Sequence, residues 1–134
     1  MKGRRKMDLG RRQRLVVGSA ETMPELRRET IDVAVTSPPY NVGKNYHAPD
    51  HGRYDDRRSE ADYLALLGRV FHQVHRVLKE DGLFFLNLGE SVRAPGRSER
   101  VVAAAQEEGF LRVQTLIWVK SIFGRGHYTP SGRD

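Results

Sequence analysis

The sequence predicts an α/β fold with a mostly parallel sheet and flanking helices, and three segments carry this prediction. Ile31 to Thr36 is an apolar run of the kind that forms a buried strand. Ser59 then begins a long stretch with apolar residues at helical spacing, for which Gly82 is the natural end. Leu83 to Leu88 is almost wholly apolar, as in the central strands of parallel sheets. Strands that alternate with helical patterns indicate βαβ units.

The chain before Ile31 follows the same alternation. Arg14 to Val17 is predicted as a short strand closed by Gly18 and Ser19. Ala20 to Arg28 is predicted as a short helix with Ser19 as its N-cap. Since strand, helix and strand follow one another at this spacing, we expect the first two strands to be parallel neighbours.

The remaining segments are predicted as a loop, a helix and a strand. Residues 41–58 form a long loop that we expect to close over a bound base or cofactor, the alternative being a disordered excursion. Ser98 is expected to cap a helix that runs to about Glu108 and ends at Gly109. Residues 110–121 are rich in β-branched and aromatic residues, which predicts a long strand.

Composition bounds the size and the partners of the protein. A chain of 134 residues allows one domain at most. Its 23 Lys and Arg residues against 17 Asp and Glu give a net charge of +6, and many of the basic residues precede the first strand. Such an arm commonly contacts polyanions, but for the arm taken alone a solvated, disordered N-terminus is the favoured explanation. We divide the chain into a basic flexible arm (1–13), a folded subdomain (14–122) and an irregular tail (123–134).

Several classes of protein are excluded by what the sequence lacks. There is no cysteine, which rules out disulfides, zinc–thiolate sites and thiol nucleophiles. No apolar stretch approaches the roughly 20 residues of a membrane span, so we expect no membrane partner and a cytoplasmic location. His72 and His75 lie close together on the predicted helix, but no third ligand is evident, and we predict no metal site.

Two consecutive prolines stand where the strand at Ile31 to Thr36 ends. Pro38 and Pro39 fix the backbone and remove two N–H donors, so the strand cannot continue. Ser37 precedes the pair and Tyr40 follows it, which places acceptor oxygens beside a flat apolar ring at the carboxyl end of a strand. Open α/β sheets build their sites at that edge.

A planar base with an exocyclic amino group fits such a site. The ring can stack on Tyr40 while the amino hydrogens point at the Ser37 hydroxyl and the Pro38 carbonyl, which makes the nitrogen a better nucleophile. An ordinary Pro-Pro turn at a strand end is the alternative for so short a motif.

The longer string Ser-Pro-Pro-Tyr-Asn-Val-Gly-Lys, from Ser37 to Lys44, resembles the catalytic motif of the amino-group DNA methyltransferases. The resemblance runs from about Leu15 to the C-terminus and includes the string Ile117-Trp118-Val119-Lys120-Ser121. It implies a partial Rossmann-like fold that uses S-adenosylmethionine to methylate cytosine N4 or adenine N6 in double-stranded DNA. A base in a duplex must be flipped out before its amino group can react.

The resemblance also assigns roles to individual residues. It implies that the catalytic residues are Ser37, Pro38, Pro39 and Tyr40. The cofactor contacts implied are Gly18, Ser19, Thr36 and Ser37. The predicted DNA contacts are Asn41, Lys44, Arg53 and Lys120.

A glycine-rich turn from a strand into a helix, which a Rossmann-like cofactor site normally needs, is not evident. The string from Phe123 to Gly126 has the wrong spacing, no preceding acidic residue and no helical pattern after it. In the permuted branch of the family the catalytic half comes first, and this chain resembles that half. A second chain or a missing C-terminal half is then expected to carry the glycine-rich loop and target recognition. A fragment of an enzyme, half of a split enzyme and a degenerate remnant are all consistent with this resemblance to the catalytic half alone.

Serine before the two prolines resembles the cytosine-N4 branch more than the adenine-N6 branch. The resemblance therefore favours a DNA methyltransferase of a restriction–modification or stand-alone system, acting on cytosine N4. A catalytically inactive DNA-binding or regulatory fragment is the alternative from another class, and an RNA or small-molecule methyltransferase is a third.

Overall fold

The computed structural model describes residues 5–8, 13–43, 46–48, 52–54 and 56–119, and it has an α/β architecture. The tail at 123–134 and the end of the strand predicted at 110–121 lie outside these ranges. The elements in chain order are β1 (Arg5–Asp8), β2 (Arg14–Val17), β3 (Ile31–Thr36), β4 (Tyr46–Ala48), β5 (Gly52–Tyr54), α1 (Glu60–Val77), β6 (Leu78–Leu86) and α2 (Arg97–Glu107).

The centre of the fold is a βαβ unit made of β3, α1 and β6. The strands β3 and β6 are parallel neighbours, with Val33 opposite Leu83 and Val35 opposite Phe85. A parallel pair needs a crossover connection, and α1 supplies it. The other strand pairs of the described chain, β1 with β2 and β4 with β5, are antiparallel. The described residues thus contain one parallel pair beside two antiparallel ones.

Helix α1 begins where the sequence predicts. The hydroxyl of Ser59 accepts a hydrogen bond from the backbone N–H of Asp62 at 3.1 Å and donates to the carboxylate of the same residue at 2.7 Å. The first of these bonds satisfies a backbone N–H that no carbonyl within the helix can reach. Tyr63, Leu67 and Phe71 recur on the buried side of the helix.

The core lies between α1, α2 and one face of the β3–β6 pair. Phe71 is fully buried and meets Phe84 edge-on, with ring centroids 5.7 Å apart. Val101 and Ala105 of α2 close the cluster from the other side. Burying side chains of this size stabilises a fold by roughly 1.5–3 kcal/mol each. None of the helices in the described ranges is long and apolar enough to cross a bilayer.

The opposite face of the β3–β6 pair is open. Because side chains alternate along a strand, Val33, Val35, Leu83 and Phe85 all point away from α1. Their exposed fractions are 50%, 73%, 51% and 47%. The sheet therefore has one packed face and one apolar face that no other described element covers.

Two predictions about the first third of the chain are wrong. Residues 20–28 form turns instead of a helix, and β2 pairs antiparallel with β1 instead of parallel with β3. The guanidinium of Arg76 donates to the carbonyls of Met23 and Leu26 at 2.8 and 3.1 Å, so a side chain from α1 stabilises the turns. Residues 5–8, inside the predicted arm, form β1.

The predicted end of the long helix is also displaced. Helix α1 ends at Val77, and Gly82 lies within β6. Ile31 pairs with Leu78 but Val33 pairs with Leu83, so β6 bulges over residues 79–82. A Cβ at Gly82 would lie 3.0 Å from the Lys79 carbonyl oxygen and 3.2 Å from that of Ile31, and only glycine fits without a shift.

The strand predicted at 110–121 is absent over residues 110–119, which have no regular structure. Leu111, Val113 and Ile117 are 84–88% exposed. Strand propensity depends on packing against neighbouring strands, and no described strand pairs with this segment. The loop predicted at 41–58 contains the short pair β4–β5. Ser98 is not the N-cap of α2; Gly96 takes that position with a φ of +72°.

Candidate active site

The predicted site lies at the carboxyl end of β3, where the two prolines turn the chain out of the sheet. Pro38 is buried, Tyr40 is partly buried and Ser37 is exposed. The end of β6 lies alongside, because the backbone N–H of Asn87 donates to the Thr36 carbonyl at 2.9 Å. The site is therefore built on two adjacent parallel strands.

A pair of hydroxyl groups forms the exposed edge of the site. Ser37 Oγ and Tyr40 Oη are 2.7 Å apart, and either oxygen is able to donate. The side-chain amide of Asn87 adds to the pair, with its nitrogen 3.3 Å from Ser37 Oγ and 3.5 Å from Tyr40 Oη. We call Ser37, Tyr40 and Asn87 the polar edge. Its three side chains present oxygen and nitrogen atoms beside an aromatic ring.

The Tyr40 ring lies against Gly89 in the segment that follows β6. A Cβ at Gly89 would come within 3.6 Å of the ring, which is ordinary van der Waals contact. A residue as large as alanine would therefore fit at this position beside the ring. The hydrogen bond of 2.7 Å between Tyr40 Oη and Ser37 Oγ sets the ring relative to the Ser37 hydroxyl.

The backbone that follows Pro38 is held by hydrogen bonds from other elements, and we call residues 39–43 the anchored loop. The Tyr63 hydroxyl donates to the Pro39 carbonyl at 2.7 Å. The Arg97 guanidinium donates to the carbonyls of Tyr40 and Asn41, both at 2.9 Å. Charged donors make stronger hydrogen bonds than neutral ones. Helices α1 and α2 both fix the position of Tyr40.

Asp56 holds the other side of the anchored loop. This residue is only 2% exposed, and its carboxylate accepts from the backbone N–H groups of Asn41 and Val42, each at 3.0 Å. Its backbone carbonyl accepts from the N–H of Gly43 at 3.0 Å. Hydrogen bonds to charged groups contribute roughly 1.5–3 kcal/mol. A loop from Asn41 to Asp56 is thereby closed at its base.

The Asn41 side chain takes part in the same closure. Its amide donates to the Arg58 carbonyl and accepts from the Arg58 N–H, both at 2.9 Å. Its φ of +54° is in the left-handed region, which asparagine tolerates better than most residues. The contact of Asn41 with DNA stays a prediction. In this structure the Asn41 amide is hydrogen-bonded to the Arg58 backbone and closes the loop.

Two carboxylates hold Arg97 and its helix in place. Glu60 accepts from Arg97 at 2.9–3.0 Å and from Arg100 at 3.0 Å. Burial raises the pKa of Glu60, but the bonds from both arginines outweigh it and lower the pKa. Glu90 accepts from the Ser98 side chain and from the backbone at the start of α2, which lowers the pKa of Glu90. These bonds fix the helix end that carries Arg97.

The predicted cofactor contacts fall into two separate groups. Thr36 and Ser37 end β3, whereas Gly18 and Ser19 form the turn after β2. Ser19 Oγ donates to Glu21 at 2.9 Å, and Glu21 pairs with Arg69 of α1. A glycine-rich turn from a strand into a helix does not occur within the described ranges. The described residues therefore do not fit a complete dinucleotide-type cofactor site.

Three of the predicted DNA contacts lie outside the described residues: Lys44, Lys120 and the side chain of Arg53. An open pocket of about 450 Å³ adjoins the anchored loop, and Arg57 and Arg93 contribute to its lining. A second cavity, of about 610 Å³, lies between α1 and α2 and does not include the motif. Position in the fold thus favours the smaller pocket as part of the site.

Comparison with known proteins identifies the class. The model of the DNA methylase family matches residues 31–133, which is most of the chain. The chain therefore belongs to the DNA methylase family. The match begins at β3 and includes the proline motif. It confirms the family that the resemblance at Ser37 to Lys44 predicts.

Several curated relatives are Type II methyltransferases. M.SmaI of Serratia marcescens is 36% identical over 88 residues, which are 65% of this chain and 30% of the relative. M.MjaVI of Methanocaldococcus jannaschii is 33% identical over 97 residues, 70% of this chain and 47% of the relative. M.MwoI of Methanothermobacter wolfeii is 30% identical over 102 residues, 71% and 15% respectively. The chain spans less than half the length of each. No solved structure matches the chain significantly.

Proposed function

We propose that this chain is the catalytic part of a restriction–modification DNA methyltransferase that methylates the exocyclic amino group of a flipped base, cytosine N4 in preference to adenine N6. The observation that carries the proposal is the polar edge. It sets the hydroxyls of Ser37 and Tyr40 2.7 Å apart beside an aromatic ring, at the carboxyl end of a parallel strand. Membership of the DNA methylase family supports DNA as the substrate.

The chain's own residues act on the base. Tyr40 supplies a face on which a flipped base can stack, which is worth roughly 1–3 kcal/mol per base. Unstacking a base from the duplex costs a few kcal/mol, and this stacking offsets part of that cost. Because the anchored loop is held from both sides, the ring is in place before the base arrives.

The amino group is oriented by two acceptors. The Pro38 carbonyl oxygen has no donor among the described residues, so it is available to one amino hydrogen. The Ser37 oxygen accepts the other amino hydrogen when the Ser37 proton is donated to Tyr40 Oη, 2.7 Å away. Hydrogen bonds from an amino group to two acceptors draw its protons away from nitrogen and enrich the nitrogen in electron density. The lone pair then points away from the acceptors, toward the methyl donor.

The methyl donor proposed is S-adenosylmethionine, which supplies an electrophilic methyl group on a sulfonium. Thr36 and Ser37 are the described residues best placed to border it. We propose that β3, α1 and β6 are one βαβ unit of a larger Rossmann-like sheet. A second chain or further sequence would then contribute the glycine-rich turn and recognition of the DNA sequence.

The test substitutes Tyr40 in the host's own gene for this protein, so that the protein acts in its complete form. Tyr40→Ala is expected to reduce methylated cytosine by about 5- to 150-fold at one sequence motif, in line with roughly 1–3 kcal/mol of lost stacking. Site-resolved sequencing and mass spectrometry of nucleosides measure N4-methylcytosine and N6-methyladenine separately.

The control is Leu111→Ala, which truncates a side chain that is 88% exposed and distant from the motif. If the Tyr40→Ala strain loses N6-methyladenine and keeps N4-methylcytosine, the target base is adenine and not cytosine. Unchanged levels of both bases in the Tyr40→Ala strain would contradict the proposed function.

A further inference from the structure

The pocket of about 450 Å³ begins one residue after the Tyr40 ring, and we call it the basic pocket. Residues 41–43 of the anchored loop line one side of it, and residues of the segment between β6 and α2 line the facing side. The Arg97 guanidinium binds the carbonyls of Tyr40 and Asn41, both at 2.9 Å. The basic pocket therefore keeps its place beside the ring.

The described residues that line the basic pocket carry more positive than negative charge, since three arginines face one aspartate: Arg57, Arg93, Arg97 and Asp56. Asp56 is 2% exposed, and its carboxylate accepts from two backbone N–H groups. Arg97 is bound to Glu60 and to the loop carbonyls. Arg57 and Arg93, by contrast, are exposed. The charges that meet solvent along this lining are therefore positive.

The segment after β6 adds hydrogen-bond donors to these charges. Ser91 Oγ accepts from the backbone N–H of Arg93 at 3.3 Å, so one lone pair is used and the hydroxyl proton is left to donate. Neither the Ser91 O–H nor the Arg93 guanidinium has an acceptor among the described residues. Donors beside positive charge suit an anionic ligand rich in acceptor oxygens, and a phosphate group is such a ligand.

A flipped base brings a phosphate group to this position. The flipped nucleotide rotates about its backbone and stays joined through its sugar to a phosphate on either side. A base that stacks on Tyr40 therefore keeps both flanking phosphates one sugar away, and the basic pocket begins at the next residue, Asn41. Because the pocket is open, the DNA strand can continue out of it.

We infer that Arg93, with the Ser91 hydroxyl and the charge of Arg57 beside it, binds a phosphate group next to the flipped nucleotide. This inference rests on the proposed function. It adds a contact to the DNA backbone that the proline motif does not contain. Phosphate contacts fix the register and orientation of a protein on the duplex without reading its sequence. The basic pocket thus holds the target strand while the base lies on Tyr40.

The test combines Arg93→Gln with a duplex that carries the methylated host motif and has one flanking phosphate, on either side of the target nucleotide in turn, replaced by a methylphosphonate. The methyl group of the methylphosphonate takes the place of a charged oxygen. At one of the two positions this change is expected to weaken binding by the unchanged, complete protein about tenfold, as for a lost charged hydrogen bond. Arg93→Gln is expected to bind the natural duplex about tenfold more weakly and to be insensitive to the methylphosphonate.

The dependence of binding on salt gives a second readout. The logarithm of the binding constant falls against the logarithm of salt concentration with a slope of about 0.9 for each phosphate that the protein neutralises. Arg93→Gln is therefore expected to lower the steepness of this line by about 0.9 on the natural duplex. Fluorescence anisotropy of a labelled duplex measures both quantities.

Arg28→Gln is the matched control. It makes the same change at an exposed arginine that precedes β3, roughly 20 Å from the motif because a strand rises about 3.3 Å per residue. This variant is expected to keep the full effect of the methylphosphonate.

The outcomes separate the inference from the proposed function. A methylphosphonate effect that is equal in Arg93→Gln and the unchanged protein overturns the role of the basic pocket while the function stands. Unchanged DNA binding by Arg93→Gln with a raised KM for S-adenosylmethionine also overturns it, because the pocket then holds the carboxylate of the methyl donor. No methyl transfer to host DNA by the unchanged protein overturns both.

Discussion

The backbone of the anchored loop and the side chains of the polar edge meet at Tyr40 but differ in how they are held. The backbone of residues 39–43 accepts hydrogen bonds from Tyr63 and Arg97 and donates to Asp56, and these three residues come from three other parts of the chain. Ser37 and Asn87, by contrast, are exposed, and their side chains bond within the polar edge. Under the proposed function the difference separates two tasks: the loop sets position and the edge meets the substrate. It predicts that removing a side chain that holds the loop backbone lowers stability, whereas changing a side chain of the polar edge lowers activity.

The largest effect is expected at Asp56. Asp56→Ala leaves the N–H groups of Asn41 and Val42 without their acceptor in a buried place, which costs roughly 2–4 kcal/mol of unfolding free energy. Urea denaturation measures this cost. Asp32→Ala is the matched control, because Asp32 is exposed and pairs with Lys79 at the surface, and its effect on stability is expected to be much smaller than that of Asp56→Ala. Equal effects of the two substitutions would contradict the anchoring role.

A smaller effect on stability is expected at Arg97. Arg97→Ala removes the donors to the Tyr40 and Asn41 carbonyls and is expected to cost about 1–3 kcal/mol. Arg97→Lys restores the charge but not the planar fork, so it recovers only part of the loss. Arg100→Ala removes the neighbouring contact to Glu60 and serves as the control, with a loss of about 0–1 kcal/mol. Thermal or urea unfolding that ranks Arg100 above Arg97 would show that the carbonyl contacts are unimportant.

The polar edge is expected to show the reverse behaviour. Tyr40→Phe keeps the ring and removes the oxygen 2.7 Å from Ser37, which is worth about 1 kcal/mol, or roughly a fivefold loss of methyl transfer. The loss is smaller than for Tyr40→Ala because stacking remains. Unfolding free energy is expected to change by less than about 0.5 kcal/mol. A variant with full activity and clearly reduced stability would invert the comparison.

The smallest effect is a dependence of stability on pH. The bonds from Arg97 and Arg100 hold the pKa of Glu60 below its ordinary value, despite the opposing effect of burial. A carboxylate with a lowered pKa in the folded state stabilises the fold above its unfolded pKa, and this contribution is lost as pH falls through the folded pKa. Glu60→Gln is therefore expected to flatten the decline in urea midpoint below about pH 4.5. An identical decline in both proteins would contradict this coupling.

The sequence predicted the parts of the fold that depend on local patterns. The apolar run of β3 and the Ser59 cap of α1 are confirmed, because alternation and capping act within a few residues. The helix predicted at 20–28 is wrong because Arg76, about 50 residues later, binds the carbonyls of turns there. The predicted strand is missing at 110–119 because propensity cannot supply a neighbouring strand.

The residues of the candidate site also differ in whether a local sequence pattern predicts them. The proline motif, with its hydroxyl and its ring, is readable from a short string of residues. Arg97 and Asp56 carry no local signal, since they meet the motif only through contacts across 57 and 15 residues of sequence. The residues proposed to meet the substrate were thus easier to predict than those that hold them in place.

The proposed function requires the polar edge to hold the amino group of a flipped base. A crystal structure of the protein bound to duplex DNA with an extrahelical cytosine would show whether it does. We expect the cytosine ring to stack on Tyr40, with its amino nitrogen about 3 Å from both Ser37 Oγ and the Pro38 carbonyl oxygen. A base bound elsewhere, with Ser37 and Tyr40 facing only solvent, would show that the polar edge does not bind it.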